Sequence, residues 1–327
     1  MQREYSQHIL LTGAGFTKNF GGLLAKEMWS IIFNKIQSYP RLKKVLFDNP
    51  DYESIYYEVM TGDYDDEERS AIDVAIFDAY RILEDIVCAC KSGNGIPNIY
   101  GVNKMIERFC GSRDELGFFF TLNQDLFVER HFNSTLKMLI HPGVPRIPDA
   151  HKIINRLPMD KEDFILVPTN DQLRNKPINI VSNTTLHYVK LHGSFGWLSS
   201  NGSNCYVIGR KKEEKIADEP LLSWYFDLFT DVLSMPNRKL FVIGYGFQDS
   251  HVNEIIARSI NNSNLKLYVV SPSPQSKLFS TLGEVEHGES ILNGLSGYFP
   301  CTLLDIFPSD QSETHYWREI VKCYFTK

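Results

Sequence analysis

Short unbroken apolar runs alternate along this chain with longer stretches in which apolar residues recur every third or fourth position. The first run, His8–Thr12 (HILLT), ends in Gly-Ala-Gly and predicts a strand entering a tight turn. Helical spacing follows over 22–38, where Leu24, Met28, Ile31, Ile32 and either Lys35 or Ile36 share one side. It persists to about residue 110, most clearly in the stripe Ile72, Ala75, Ile76, Ala79, Leu83, Ile86 and Val87. The acidic run Asp63–Glu68 precedes that stripe and suits the positive end of a helix dipole, so it reads as a solvated helix start rather than a metal site. At Gly117–Leu122 (GFFFTL) the pattern becomes continuously apolar over a strand's length, as in a parallel strand covered on both faces. His187–Leu191, Lys239–Ile243 and Leu265–Val270 read as further strands, and 203–208 as part of a hairpin. Helices are predicted over 219–235, Asp249–Ile260, Ser276–Gly294 with a break at Gly283, and Glu313–Tyr324, with Cys301–Asp305 as a last strand. Residues 141–186, rich in Pro, Asn and Asp, carry no readable period and are expected to be irregular.

Strand–helix alternation of this kind predicts an α/β fold, a Rossmann-like doubly wound parallel sheet with a helical insertion layer. The expected organisation is one domain over 1–327, with the sheet core at about 5–22 and 115–327 and the insertion at about 23–114. Composition agrees: 43% hydrophobic and 23% charged residues are a globular balance. The net charge of −6 gives no global reason to coat nucleic acid or an anionic membrane. No apolar run approaches the roughly 20 residues of a membrane span, and the polar start (MQREYSQ) lacks a secretory core, so a cytoplasmic location is expected. The six cysteines (Cys88, Cys90, Cys110, Cys205, Cys301, Cys323) form no Cys-x-x-Cys and suit a reducing compartment. Cys88 and Cys90 would point about 200° apart on a helix and read as buried small side chains. The histidines show no metal-ligand spacing, and no metal is expected; His251, near Asp249, reads as a helix-surface residue. Arg210-Lys211-Lys212, followed by two glutamates, reads as a solvated loop.

Four segments carry candidate chemistry, and each follows a predicted strand, where ligands collect in open α/β sheets. Gly13-Ala14-Gly15-Phe16-Thr17 is a glycine turn before a helix, able to bring backbone N–H groups to a phosphate or to serve as a plain tight turn. Lys18 stands where a dehydrogenase fingerprint needs glycine, and no Walker lysine follows. In Thr121-Leu122-Asn123-Gln124-Asp125 an amide and a carboxylate can hold a ribose and a water, while Asp125 is equally a helix N-cap for 126–132. Leu191-His192-Gly193-Ser194 places an imidazole at a strand end, as a proton acceptor or a structural histidine. Gly244-Tyr245-Gly246-Phe247-Gln248-Asp249 is a second glycine turn, whose Asp249 caps a helix in the plainest reading. Ser271 is a fifth polar group at a strand end.

In this order the segments GAGFT, TLNQD, KLHGS and GYGFQDSH resemble the sirtuin-like superfamily, over residues 8 to about 271. The resemblance implies NAD as substrate. It makes Gly13, Ala14, Gly15, Phe16 and Thr17 the pyrophosphate and ribose site, and Asn123 with Asp125 the nicotinamide-ribose pair. It makes His192 the catalytic histidine, and Gly244 and Tyr245, with Ser271 nearby, the second phosphate-binding turn. The two Cys-x-x-Cys pairs that hold structural zinc in the family's protein deacylases are missing, and Gly21-Gly22-Leu23-Leu24 replaces their Pro-Asp-Phe-Arg stretch. The chain is more similar to the zinc-free sirtuin-like proteins of bacterial antiphage defence, many of which hydrolyse NAD to nicotinamide and ADP-ribose. A deacylase, an ADP-ribosyltransferase and a non-catalytic NAD or ADP-ribose sensor are the alternatives. An unregulated NAD hydrolase would poison its host, so a homo-oligomer or a partner chain is expected, and the resemblance suggests a HerA-like hexameric ATPase as that partner; the charge gives no direct role for nucleic acid or membrane.

Overall fold

Strands covered on both faces are largely apolar, and the few polar residues of the central strands, such as Thr12, Thr121 and Lys190, are buried and hydrogen-bonded. A computed structural model of the chain describes residues 4–112, 114–132, 139–144, 163–175 and 185–326. Its strands are β1 (Glu4–Thr12), β2 (Glu115–Thr121), β3 (Leu139–Ile140), β4 (Ile165–Leu166), β5 (Leu186–Lys190), β6 (Gly193–Leu198), β7 (Asn204–Tyr206), β8 (Lys239–Ile243), β9 (Lys266–Val270) and β10 (Leu295–Phe299). Seven form one parallel sheet in the order β10-β9-β8-β1-β2-β5-β3. Side chains alternate between its faces. Leu10, Phe119, Tyr188 and Phe241 enter one apolar cluster. Ile9, Leu11, Phe118, Phe120, Leu240 and Val242 enter the other. Strand order reverses at β1, whose neighbours are β2 on one side and β8 on the other, which makes the carboxyl end of the β1/β8 pair the crevice where such sheets take ligands.

The helices before β2 are α1 (Ala14–Lys18), α2 (Ala25–Lys35), α3 (Pro40–Asp48), α4 (Tyr52–Thr61), α5 (Asp66–Ala89) and α6 (Ile99–Glu107). All but α1 fall in the predicted insertion. The acidic run does start a helix: Asp65 accepts from the Glu68 N–H at 2.8 Å, and Glu68 reaches back to the Asp65 N–H at 3.2 Å. Ile72, Ala75, Ile76, Ala79, Leu83 and Val87 then turn inward as the spacing predicts. After β2 comes the short helix α7 (Phe127–His131). Buried Glu84 on α5 bonds Arg130 at 3.0 Å and accepts from the Leu126 N–H at 2.8 Å, which ties α7 to the inserted layer. β6 and β7 form an antiparallel hairpin, as expected for 203–208, with β4 beside β6. Among the described residues no helix is long and apolar enough to cross a membrane.

Three expectations are corrected. Cys301–Asp305 is not the last strand: β10 precedes it, and 303–306 is a short helix begun by the Thr302/Asp305 capping box. β10 (LSGYF) was hidden because this half-exposed edge strand lacks an apolar run. The helical break lies at 285–287, between Gln275–Glu284 and Gly288–Asn293, rather than at Gly283. Cys88 and Cys90 are only partly buried. Much of the segment expected to be irregular, 141–186, lies outside the described residues.

Tyr324 closes the far end of the sheet. Its hydroxyl accepts from the Ile9 N–H at 3.1 Å and donates to the Lys239 carbonyl at 2.7 Å, so it bridges β1 and β8 from the chain's last turn. Lys239 Nζ returns a bond to the Tyr324 carbonyl at 2.9 Å. Tyr324→Phe leaves a buried strand N–H without its partner and should lower stability by about 1–3 kcal/mol. Urea unfolding measures this, and an unchanged midpoint would contradict the assignment.

Candidate active site

A stair of backbone bonds sets the four sequence segments side by side. The Leu191 N–H donates to the Thr121 carbonyl at 2.9 Å, Leu122 to Thr12 at 2.9 Å, and Gly13 to Ile243 at 3.1 Å. Each bond joins a strand end to its neighbour, so the residues that follow emerge along one rim. A cleft of about 520 Å³ opens there, lined by Gly13, Ala14, Gly15, Asn123, Asp125, His192, Gly244, Tyr245 and Ser271 among others. That volume suits a small-ligand site, for which roughly 300–1,000 Å³ is usual. A neighbouring cavity of about 340 Å³ shares Gly15, Leu24, Gly244 and Pro272 with it and lengthens the trough.

The two glycine turns pack against each other. The Gly15 N–H donates to the Gly244 carbonyl at 2.9 Å, and a Cβ on Gly244 would lie 2.2 Å from the Phe16 nitrogen. Gly244 also has φ +68°, the left-handed region that disfavours side chains. Glycine is therefore required here by contact between two turns, in addition to any approach of a phosphate. Phe16 does not face the cleft: it is fully buried against Phe20, Phe119 and Phe127. Thr17 stands behind the wall, its hydroxyl accepting from Asn123 Nδ2 at 2.9 Å.

That bond orients the Asn123 amide. The Asn123 N–H in turn donates to Thr121 Oγ1 at 3.1 Å, and Thr12 Oγ1 donates to Thr121 Oγ1 at 2.8 Å. Asp125 is not the N-cap of α7, a place that falls to Leu126, which makes no side-chain cap bond. Asp125 lines the cleft, and its carboxylate accepts from the Phe127 N–H at 3.0 Å at the start of α7. Burial raises its pKa above the usual range, against the pull of Lys190. Gln124 between them donates to the Val207 carbonyl at 2.7 Å and accepts from the Tyr80 hydroxyl, locking hairpin and α5 to the end of β2.

His192 ends β5 with its ring in the cleft wall. Gly193 follows with φ +73°, and a Cβ there would meet the Cys205 carbonyl oxygen at 2.2 Å, so the His-Gly step is set by the hairpin turning back over the site. Burial lowers the His192 pKa to about 3, with the nearby Asp249 opposing the shift. It is a neutral imidazole at physiological pH.

Several lining residues escaped the sequence reading. Tyr52, Glu53, Tyr80 and Leu83 come from α4 and α5, so the inserted helices build one wall. Lys212 does not belong to a solvated loop: its ammonium sits 2.9 Å from both Glu53 and Asp249. Burial lowers its pKa, but the two carboxylates outweigh this and raise it. Asp249 correspondingly makes no side-chain cap on the helix Ser250–Ser263. Burial pushes its carboxyl up, yet His192 and Lys212 hold it below the usual range. His251 is not a helix-surface residue either; its ring meets that of His192, Nε2 to Nε2, at 2.9 Å. The proximity of His251 to Asp249 in sequence was the one available hint. Tyr245 turns its hydroxyl to Asn253 Oδ1 at 2.9 Å, and Asn253 Nδ2 holds the Phe247 carbonyl at 2.8 Å, which latches the second glycine turn.

A doubly wound sheet with two apposed glycine turns, an amide and an imidazole around its switch-point crevice is an α/β fold whose polar groups gather where such sheets take ligands. Residues 117–292 match the SIR2-like domain family, more than half of the chain, and the chain belongs to that family. SIR2-like domains are NAD-using enzymes. The match begins at β2, so the turn at 13–17 is joined to the matched region by geometry. No curated protein matches the chain.

Two predictions follow from this geometry. Gly244→Ala should destabilise the protein by at least about 2 kcal/mol, read by denaturant unfolding, because strain and collision act together; a neutral substitution would show that the turns are not in contact. The second concerns acid. Burial lowers the pKa of His8, His131 and His251, and takes His141 and His192 to about 3. Unfolded, these histidines take up protons below about 6.5. The unfolded state then binds more protons over that window, so stability falls as pH drops below about 6.5. Glu84, raised by burial to about 7, and Asp125 act in the opposite sense but are fewer. The melting temperature at pH 5 should lie below that at pH 7, and a flat or rising profile would refute this.

Proposed function

We propose that the protein is an NAD glycohydrolase, converting NAD and water to nicotinamide, ADP-ribose and a proton. The observation that carries this reading is the meeting of Asn123 and His192 in one cleft opposite the paired glycine turns. A binding module needs the turns but neither of those side chains. The cleft also suits the group it must hold: its volume is that of a small-ligand site, and of its three carboxylates Glu53 and Asp249 are paired to Lys212 while Asp125 is tied to a backbone N–H. The field facing a pyrophosphate is thereby softened.

In this reading the backbone of Gly13, Ala14, Gly15, Gly244 and Tyr245 cradles the pyrophosphate, and Ser271 adds a hydroxyl beyond it. Thr17 keeps Asn123 turned toward the ribose, where the amide positions a hydroxyl and a water. His192 accepts the proton of that water or hydroxyl, with Asp249 beside it to offset the charge it gains. Asp125 supports positive charge developing on the ribose as nicotinamide leaves. Phe16 acts through the core behind the turn. The same proposal places the enzyme in antiphage defence as an NAD-depleting effector, restrained by self-assembly or by a partner such as a HerA-like hexameric ATPase, since an unrestrained hydrolase would empty its own host's NAD pool.

Chromatographic product analysis with NAD tests the proposal. The wild type should release nicotinamide and ADP-ribose in equal amounts, and Asn123→Ala and His192→Ala should each lower turnover by about 100-fold or more with the fold retained by circular dichroism. Turnover only with an acyl-lysine peptide, or ADP-ribose transferred to protein, would replace hydrolysis with group transfer. Unchanged turnover in both variants would remove the assigned residues.

A further inference from the structure

The imidazole of His192 ends on a second imidazole, and that contact decides which of its nitrogens is a base. His192 Nε2 and His251 Nε2 are 2.9 Å apart, so one of them carries the shared hydrogen. The choice is made on the far side of His251, where Nδ1 faces Glu213 Oε1 at 3.4 Å. Burial pushes the Glu213 carboxyl up, but its own backbone N–H, the Ser250 hydroxyl and His251 outweigh this and hold it below the usual range. An ionised carboxylate only accepts hydrogen bonds. Nδ1 of His251 therefore carries a hydrogen, and its Nε2 in the neutral ring is a bare acceptor. His192 must then donate from Nε2, which leaves its own lone pair on Nδ1.

We propose that Glu213 and His251 form a tautomer-fixing chain behind His192, in which His251 is a positioning residue that makes Nδ1 of His192 the proton-accepting atom. This rests on the reading of His192 as the base in NAD cleavage. When Nδ1 takes a proton from a ribose hydroxyl or the attacking water, His192 becomes an imidazolium whose Nε2–H points at His251, so the charge is shared across the pair. The role parallels the carboxylate behind a catalytic histidine, which holds the tautomer without itself reacting. The charged groups around the pair are few. Asp249 and Lys212 face both rings, Glu213 faces His251, and the Phe226 ring covers them from the helix Pro220–Leu233, 6.4 and 5.3 Å from the two imidazoles. His251 also sits in the first turn of the helix Ser250–Ser263, where the helix dipole disfavours a resting positive charge. The donor atoms of His192, Asp249 and His251 lie within 4.8 Å of one another. The carboxylate is nevertheless held by the Lys212 ammonium and the imidazoles by each other, which favours a hydrogen-bonded chain over a bound cation.

Two-bond nitrogen–proton correlation spectra of ¹⁵N-histidine-labelled protein, recorded without NAD, test the chain directly. His192 should be protonated at Nε2 and His251 at Nδ1, and in His251→Ala the His192 signals should move toward a mixture of tautomers. His192 protonated at Nδ1 in the wild type, or unaffected by His251→Ala, overturns the proposal. Kinetics give the second readout. His251→Ala should lower kcat for NAD cleavage on the order of 10- to 100-fold, with KM within about threefold and the acid limb of the pH profile displaced. Glu213→Gln, at a half-exposed position, should have a smaller effect in the same direction. Loss of melting temperature with a parallel rise in KM would mean a merely structural histidine. Zinc binding at micromolar concentration that His251→Ala abolishes would put a cation site in its place. A wild type that consumes no NAD defeats the functional reading alone, because the tautomer spectra need no turnover.

Discussion

The contact between two glycine turns governs the rest of this molecule. β1 and β8 are neighbours in the sheet but lie far apart in sequence, and both turn into helices at the same rim. For the two turns to coexist there, the backbone at Gly15 and the backbone at Gly244 must touch. Side chains are excluded from the contact, and what faces the crevice is peptide backbone. The polar side chains of the crevice come from its flanks: Asn123 and Asp125 follow β2, His192 follows β5, and Lys212 follows the hairpin.

Those flanks are held by polar groups that never reach the cleft. Glu84 and Arg130 fix the start of α7, and buried Lys190 bonds Glu129 at 2.9 Å beneath Asp125. Thr12, Thr121 and Thr17 pass a run of hydroxyl bonds from β1 to Asn123. Buried polar groups of this kind carry a desolvation penalty that only full pairing offsets, and in return they leave few alternative side-chain positions.

How much of this could be read from the chain depended on distance along it. Strand ends such as HILLT-GAG and KLFVI-GYG announce themselves, because a buried parallel strand shows as a short apolar run and these two exits carry glycine. The meeting of the four segments was legible from their shared position after strands. The roles of Phe16 and Thr17 as backing residues were not, since a five-residue motif does not say which of its members faces inward. Nor was the wall formed by Tyr52, Glu53 and Tyr80, because helical periodicity gives a face and not the neighbour that covers it. Lys212 looked like one cation in a basic run. Only its approach to Asp249, 37 positions away, reveals it as a buried counter-charge. β10 was missed for a local reason: an edge strand with Ser296 and Gly297 at its centre has no hydrophobic signature.

The order in which the sheet is stitched has a consequence for biosynthesis. β1 is made before both of its partners, one of which comes only at residues 239–243, and the hydroxyl that bridges both strands belongs to a residue 315 positions after Ile9. Until that length has been translated, the first glycine turn has nothing to lean on and the crevice has one side. A nascent chain therefore carries the amide and the imidazole without the groove that would unite them. The groove closes only when β8 and the Tyr324 turn dock onto β1.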